Sequence, residues 1–170
     1  FQLGGKMMCL SIARDITERK KAEEQLQILS RAIEQSPVSV VITDPTGRIE
    51  YVNPKLCEVT GYSVEEAVGQ NPRVLKSGMQ SQEFYKDMWA TIISGKQWRG
   101  EFCNRRKNGE LYWESANISP VRDERGKISH FVAVKEDITE RKRIEERLAW
   151  ELELNSALAG VYKPLASVSD

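Results

Sequence analysis

Apolar and polar residues alternate along several short stretches of the chain and recur at helical spacing along others. Val38–Thr43 reads VSVVIT, a β-rich run, and Asp44-Pro45-Thr46-Gly47 then turns it into Ile49–Val52, which together predict a hairpin. Short helical pieces broken by Gly and Pro follow at Pro54–Thr60, Val64–Val68 and, less well defined, Asn71–Lys76. Residues 81–94 carry Phe84, Met88, Trp89 and Ile92 on one face of a longer helix, with Gly95 placed to end it. Three further strands are predicted at Gln97–Lys107, Glu110–Val121 and Lys127–Glu136, joined by Asn108-Gly109 and by Asp123-Glu124-Arg125-Gly126. Strands, helices and strands in that order predict an α+β domain, a five-stranded antiparallel sheet with its helices gathered on one face. Period-two alternation puts Trp98, Gly100, Phe102 and Asn104 on one side of their strand, and Arg99, Glu101 and Cys103 on the other.

An internal repeat sets the boundaries. Asp15–Leu26 reads DITERKKAEEQL and Asp137–Leu148 reads DITERKRIEERL, identical at nine of twelve positions with an offset of 122 residues. That period is too long for a solenoid and fits one whole domain plus its connecting helix. The expected organisation is therefore a strand remnant of a preceding module over 1–14, a linker helix over 15–35 and the central domain over 36–138. A signalling helix over 139–158 comes next, with the start of a next segment or a disordered tail over 159–170. Each copy carries helix-start chemistry: Asp137 as cap with Glu140 three residues on, an Asp version of a capping box. Leu26, Leu29 and Ile33 make a seam on the first helix and Ile144, Leu148 and Leu152 one on the second. Two readings stand: a solvated helix with one face on its own domain, or a parallel coiled coil joining modules in a dimer.

Charge narrows the function classes. Among 170 residues, 25 Lys and Arg balance 25 Asp and Glu, which argues against a broad electrostatic grip on nucleic acid or an anionic membrane. Cys9, Cys57 and Cys103 lie too far apart for a CxxC pair, so neither a zinc knuckle nor a disulfide framework is expected, and no metal site is assigned. The longest nearly apolar stretch, Met7–Ala13, spans seven residues. Neither a membrane span nor a signal peptide is expected, which gives a soluble, cytoplasmic module, whatever anchor its parent carries. The one histidine, His130, falls in a strand with no local nucleophile, and Lys76-Ser77-Gly78 lacks the upstream glycine of a phosphate loop. No catalytic residue is assigned.

The segments DPTGRIEYVNPKLCEVTGYSVEEAVGQNPRVLKSG and WATIISGKQWRGEFCNRRKNGELYWESANISPV, with the terminal DITERK, resemble a PAS domain of a bacterial or archaeal sensor protein. The resemblance covers about Ile33–Thr139 and implies a PAS fold with flanking N- and C-terminal linker helices and a small-molecule pocket on one sheet face. Heme is disfavoured, because residues 81–95 hold no axial His. In blue-light LOV domains a photoreactive Cys follows an Asn; here Asn71 is followed by Pro72, and the two further polar flavin positions fall at Glu114 and near Lys135. A closer likeness is to FAD-binding PAS domains of nitrogen-fixation and aerotaxis regulators, whose pattern is similar to Trp89, Trp98 and Asn104. The resemblance implies Trp89, Trp98, Phe102, Asn104 and Asn71 as cofactor-binding candidates; the plainer reading is that Trp89 and Trp98 simply fill the core, and another small metabolite remains open. It implies Asp137, Ile138, Thr139 and Glu140 as the signal relay. The expected partners are a second copy of the chain and neighbouring PAS and output domains. The implied parent is a sensor histidine kinase, with a diguanylate cyclase second. The rival reading is a ligand-free dimerisation spacer, its pocket plugged by Trp89, Met88 and Phe102. The Arg105-Arg106 pair reads as a solvated hairpin end.

Overall fold

The computed structural model describes residues 2–3, 6–7 and 17–162. The chain divides into two units, residues 1–34 and 35–170. In the first, strands β1 (Gln2–Leu3) and β2 (Lys6–Met7) pair antiparallel, and helix α1 spans Thr17–Glu34. The expected terminal strand of a preceding module falls mostly on residues 8–16, which lie outside the described residues. Leu26, Ile28 and Leu29 are exposed on α1.

The second unit is built on one sheet. Strands β3 (Ser39–Thr43), β4 (Ile49–Val52), β5 (Trp98–Arg105), β6 (Leu111–Arg122) and β7 (Ile128–Asp137) stand in the order β4-β3-β7-β6-β5, every pair antiparallel. Helices α2 (Pro54–Thr60), α3 (Val64–Ala67) and α4 (Gln82–Ile93), with a 3₁₀ turn at Pro72–Leu75, connect β4 to β5. Helix α5 (Thr139–Tyr162) leaves β7, four residues longer than expected, and residues 163–170 lie outside the described set. Its 24 residues extend about 36 Å at 1.5 Å per residue. α1 and α5 both begin at the Thr of their repeat copies, Thr17 and Thr139.

Local sequence explains these starts and stops. The Asn53 side chain accepts from the Leu56 amide with Pro54 in the first turn, and Ser63 closes a capping box with Glu66. Ser81 accepts from the Phe84 amide to start α4, which stops where Gly95 takes a φ of 85°. One face of the sheet, carrying Val41, Val52, Phe102, Ala116, Ile118, Phe131 and Ala133, meets Leu56, Ala67, Met88 and Ile92 from the helices to form the core.

Strand β5 ends the sheet, and such an edge exposes unpaired backbone unless something covers it. Here the segment after the 3₁₀ turn covers it: Lys76 bridges to Asn104, the Ser77 hydroxyl donates to the Cys103 carbonyl, and Arg105 Nη2 donates to the Ser77 carbonyl at 3.3 Å. Cys103, placed outward by alternation, is buried for that reason and because Trp113 stands opposite it.

Candidate functional site

A cavity of about 560 Å³ lies between the sheet and the helices, within the range of small-molecule sites. The sheet contributes Val41, Thr43, Phe102, Asn104, Ile118, Phe131, Ala133 and Lys135; α4 contributes Tyr85, Met88, Trp89 and Ile92. Asn71, Pro72, Arg73 and Lys76 and the β3–β4 turn at Pro45–Gly47 complete the rim. That turn is rigid. The Asp44 carboxylate accepts from the Thr46 amide at 2.8 Å, the Thr46 hydroxyl at 2.6 Å and the Arg48 amide at 2.9 Å, and these bonds hold its pKa below the ordinary carboxylate value. Gly47, at φ 84°, lies so close to Asn71 Nδ2 and the Trp89 ring that a Cβ would meet them at 2.8 and 2.9 Å. The turn thus sets where Trp89 and Asn71 stand.

The buried end of the cavity holds a polar cluster. Glu114, 2% exposed, accepts from Asn104 Nδ2 at 2.9 Å and Lys135 Nζ at 2.5 Å on one oxygen, and from the Tyr112 hydroxyl at 3.2 Å on the other. Asn104 is 5% and Lys135 7% exposed. A buried charge pair survives only when its lone pairs and protons are satisfied, and Glu114 is satisfied on both oxygens. Burial first, and the Glu114 carboxylate second, push the Tyr112 phenol far above its ordinary value, so it stays a donor. Three cations, Arg73, Lys76 and Lys135, line the cavity, and no carboxylate does among the lining residues. Lys76 Nζ sits 3.4 Å over the Tyr85 ring, whose buried hydroxyl has no hydrogen-bond partner among the described residues.

Of the five residues singled out from sequence, Trp89, Phe102, Asn104 and Asn71 stand at this cavity and Trp98 does not. The Trp98 indole folds back across Gly100, where a Cβ would come within 2.4 Å of the ring, and packs edge-on to Phe84 at 5.4 Å. It closes the core under the first turn of α4. Met88, Trp89 and Phe102 form walls of the cavity and leave it open. In the sequence Glu114 and Lys135 stand out only as departures from a flavin pattern, with no local sign that they pair. Their shared face follows from the β6–β7 register, which sets Ala116 opposite Lys135 and Glu114 opposite Asp137. Pro72 is at the rim, and no cysteine lines the cavity among the described residues. His130, half-exposed in β7, lies 3.1 Å from Glu50 across the neighbouring strands.

The strand-to-helix junction is tied more tightly than the repeat alone implied. Asp137 Oδ1 accepts from the Thr139 amide at 2.9 Å and the Thr139 hydroxyl at 2.5 Å; Oδ2 accepts from Arg106 Nη2 at 2.7 Å. Burial raises the Asp137 pKa, but the bonds from Thr139 and Arg106 outweigh it and the net shift is downward. Trp113 of β6 donates its amide to the Thr139 hydroxyl at 2.9 Å and accepts from the Ile138 amide at 2.9 Å. Ile138 itself is buried. The expected capping box is not formed: Asp137 bonds two residues ahead, to Thr139, and Glu140 is 77% exposed with its nearest cation, Arg143, at 3.9 Å. Nor is Arg106 solvated. Its side chain, 18% exposed, also donates to the Val59 carbonyl of α2 and lies 4.5 Å over the Tyr112 ring. Glu101 of β5 holds Lys142 Nζ at 2.7 Å and Arg141 Nη2 at 3.1 Å in the first turn of α5.

Residues 37–140 match a family model described as a PAS domain. The chain is 36% identical over 126 residues to a nitrogen fixation regulatory protein of Klebsiella oxytoca, covering 74% of this chain and 26% of that protein. It is 30% identical over 132 residues to a blue-light-activated histidine kinase of Rhizobium johnstonii, covering 76% of this chain and 38% of the kinase. The chain therefore spans about a quarter to two-fifths of the length of these curated relatives. Among solved structures, an RNA-binding light-oxygen-voltage receptor superposes with a TM-score of 0.68 at 27% identity, over 75% of this chain and 37% of that one.

Proposed function

The chain belongs to the PAS domain family, a sensory module of signalling proteins, and on that premise we propose that its cavity takes a flavin-sized small molecule and reports it through the β7–α5 junction. The observation that carries this reading is the open cavity of about 560 Å³ walled by Trp89, Met88 and Phe102, the residues that a ligand-free spacer would use as plugs. The donor set fits a flavin held without a covalent bond. Asn104 and Lys135 offer hydrogen-bond donors at the buried end, Trp89 and Phe102 offer ring faces, and Pro72 rules out a thiol at the rim position beside Asn71. When bound, a flavin supplies reversible two-electron chemistry to a redox or light response.

What the chain itself does is hold and relay. Glu114, fixed by Asn104 and Lys135 on the cavity side, stands directly opposite Asp137 in the β6–β7 ladder. Like charges opposed across strands repel unless each has its own cation, and here Lys135 serves one and Arg106 the other. A ligand that draws on Lys135 or Asn104 weakens the hold on Glu114 and alters the field at Asp137, which positions the start of α5. The helix then passes that change to an output domain, read here as a histidine kinase, with α5 of two copies side by side as the coiled-coil partners.

The absorbance spectrum of the purified chain, repeated on the supernatant after heat denaturation, tests the cavity reading. A visible flavin band that leaves with the supernatant, or appears after incubation with FAD, supports it. A colourless protein that takes up no FAD refutes the flavin and favours the spacer or a colourless ligand.

A further inference from the structure

The buried end of the cavity is electrically lopsided. Lys135 lines the wall, whereas its partner Glu114, 2.5 Å away, is outside the lining, although its charge still reaches the lining Tyr85. An ammonium has three donor hydrogens and no acceptor. Among the described residues the Lys135 ammonium gives one hydrogen bond, to Glu114 Oε1, and lies 5.6 Å from the Phe102 ring centroid, so it keeps donor capacity toward the cavity. Asn104, beside it, spends one amide hydrogen on the same oxygen. Lys76 and Arg73 add positive charge nearer the rim, and no lining carboxylate offsets them.

We propose that Lys135 is the charge-selecting residue of the cavity, so that it holds the reduced, anionic form of a flavin ring more tightly than the neutral oxidised form. This rests on the flavin reading above. For a ring edge seated on the Lys135 ammonium the Glu114 carboxylate is the farther charge, and at close range the nearer charge dominates. The attraction exceeds the repulsion by enough to give about a tenfold preference at an effective protein dielectric. The reduction itself balances without the protein: dithionite, oxidised to sulfite, delivers two electrons, water supplies one proton, and the ring leaves as a monoanion. Lys135 keeps its proton and contributes only its charge.

Riboflavin is the probe, because it carries the ring without a phosphate and so separates the buried end from Arg73 at the rim. Its affinity for the full chain is measured anaerobically before and after dithionite. The wild type is expected to bind the reduced form about tenfold more tightly, equivalent to about 30 mV for a two-electron couple. Removing Lys135 alone would strand a buried carboxylate, so the informative variant is Glu114→Gln with Lys135→Gln, which keeps an amide pair and removes both charges. The double variant is expected to lose the preference; Lys135→Arg and Arg73→Gln are expected to keep it. Equal affinities in the wild type, or the same preference in wild type and a double variant that melts cooperatively, overturn the proposal while leaving the flavin reading intact. Failure of the wild type to bind riboflavin, FMN or FAD in either state overturns the flavin reading and this proposal with it.

Discussion

Replacing Arg106 by Met removes the hub of the helix junction. Arg106 makes four contacts that a thioether cannot: Nη2 to Asp137 at 2.7 Å, Nη1 to the Val59 carbonyl, its guanidinium over Tyr112 at 4.5 Å, and a looser ion pair from Nε to the half-exposed Glu110 at 3.7 Å. Hydrogen bonds to charged groups contribute about 1.5–3 kcal/mol each, and a partly desolvated cation–π contact about 1 kcal/mol. Asp137 keeps its bonds from Thr139 and is about a quarter exposed, so water recovers part of the loss. The net cost is about 3 kcal/mol, or a fall in Tm of roughly 10–15 °C for a domain of this size, leaving a folded protein. Urea unfolding followed by tryptophan fluorescence on Arg106→Met, Asp137→Asn and the double variant gives the coupling directly. A double-mutant cycle should return about 1.5 kcal/mol or more between the two residues. Additivity within about 0.5 kcal/mol would refute the claim that Arg106 acts through Asp137.

Two further outcomes follow from the geometry. The folded-state pKa of Asp137 is depressed, so its contribution to stability is fully present above the ordinary carboxylate value of 3.8 and is lost as pH falls through the lower folded value. The stability gap between wild type and Asp137→Asn should therefore be constant near neutrality and close only below about pH 4; a gap that already closes at pH 6 contradicts the assignment. Gly47→Ala should cost about 1–2 kcal/mol from its positive φ, and more because a Cβ would press on Asn71 and Trp89. Gly109→Ala is the control, since its φ of 93° brings strain with no atom within 4 Å. Thermal melts and Trp89-sensitive fluorescence of the two variants should differ, and equal effects would detach the turn from the cavity rim.

The strands and helices were legible because they are written in short-range pattern. VSVVIT and the three later alternating runs each lie within a residue or two of the observed β3, β5, β6 and β7, and Pro54 and Gly95 stand at the helix limits expected of them. What escaped was chemistry that depends on register between strands distant in sequence. Glu114 and Lys135 are charges on predicted strands 21 residues apart, and nothing local says that they turn inward and meet. Arg106 sits next to Lys107 and Asn108-Gly109 in a sequence that resembles any solvated hairpin, yet its partners come from α2 and the end of β7. Alternation puts Trp98 on the core face, but only the missing side chain at Gly100 lets its ring lie away from the cavity. The capping-box spacing at Asp137 and Glu140 was present in the sequence; the nearer Thr139 hydroxyl and amide captured the carboxylate.

Strand β7 occupies the middle of the five, with β3 on one side and β6 on the other. Over Phe131–Lys135 it pairs antiparallel with both neighbours, and its last two residues, Glu136 and Asp137, pair with β6 alone. A pull along α5 loads the two ladders in shear, many bonds at once, instead of peeling them one by one as it would an edge strand. The strand is thus held on both sides just before its helix departs. Torque or piston displacement applied there reaches the whole sheet, and the amides of β7 should be among the last in the domain to exchange with solvent.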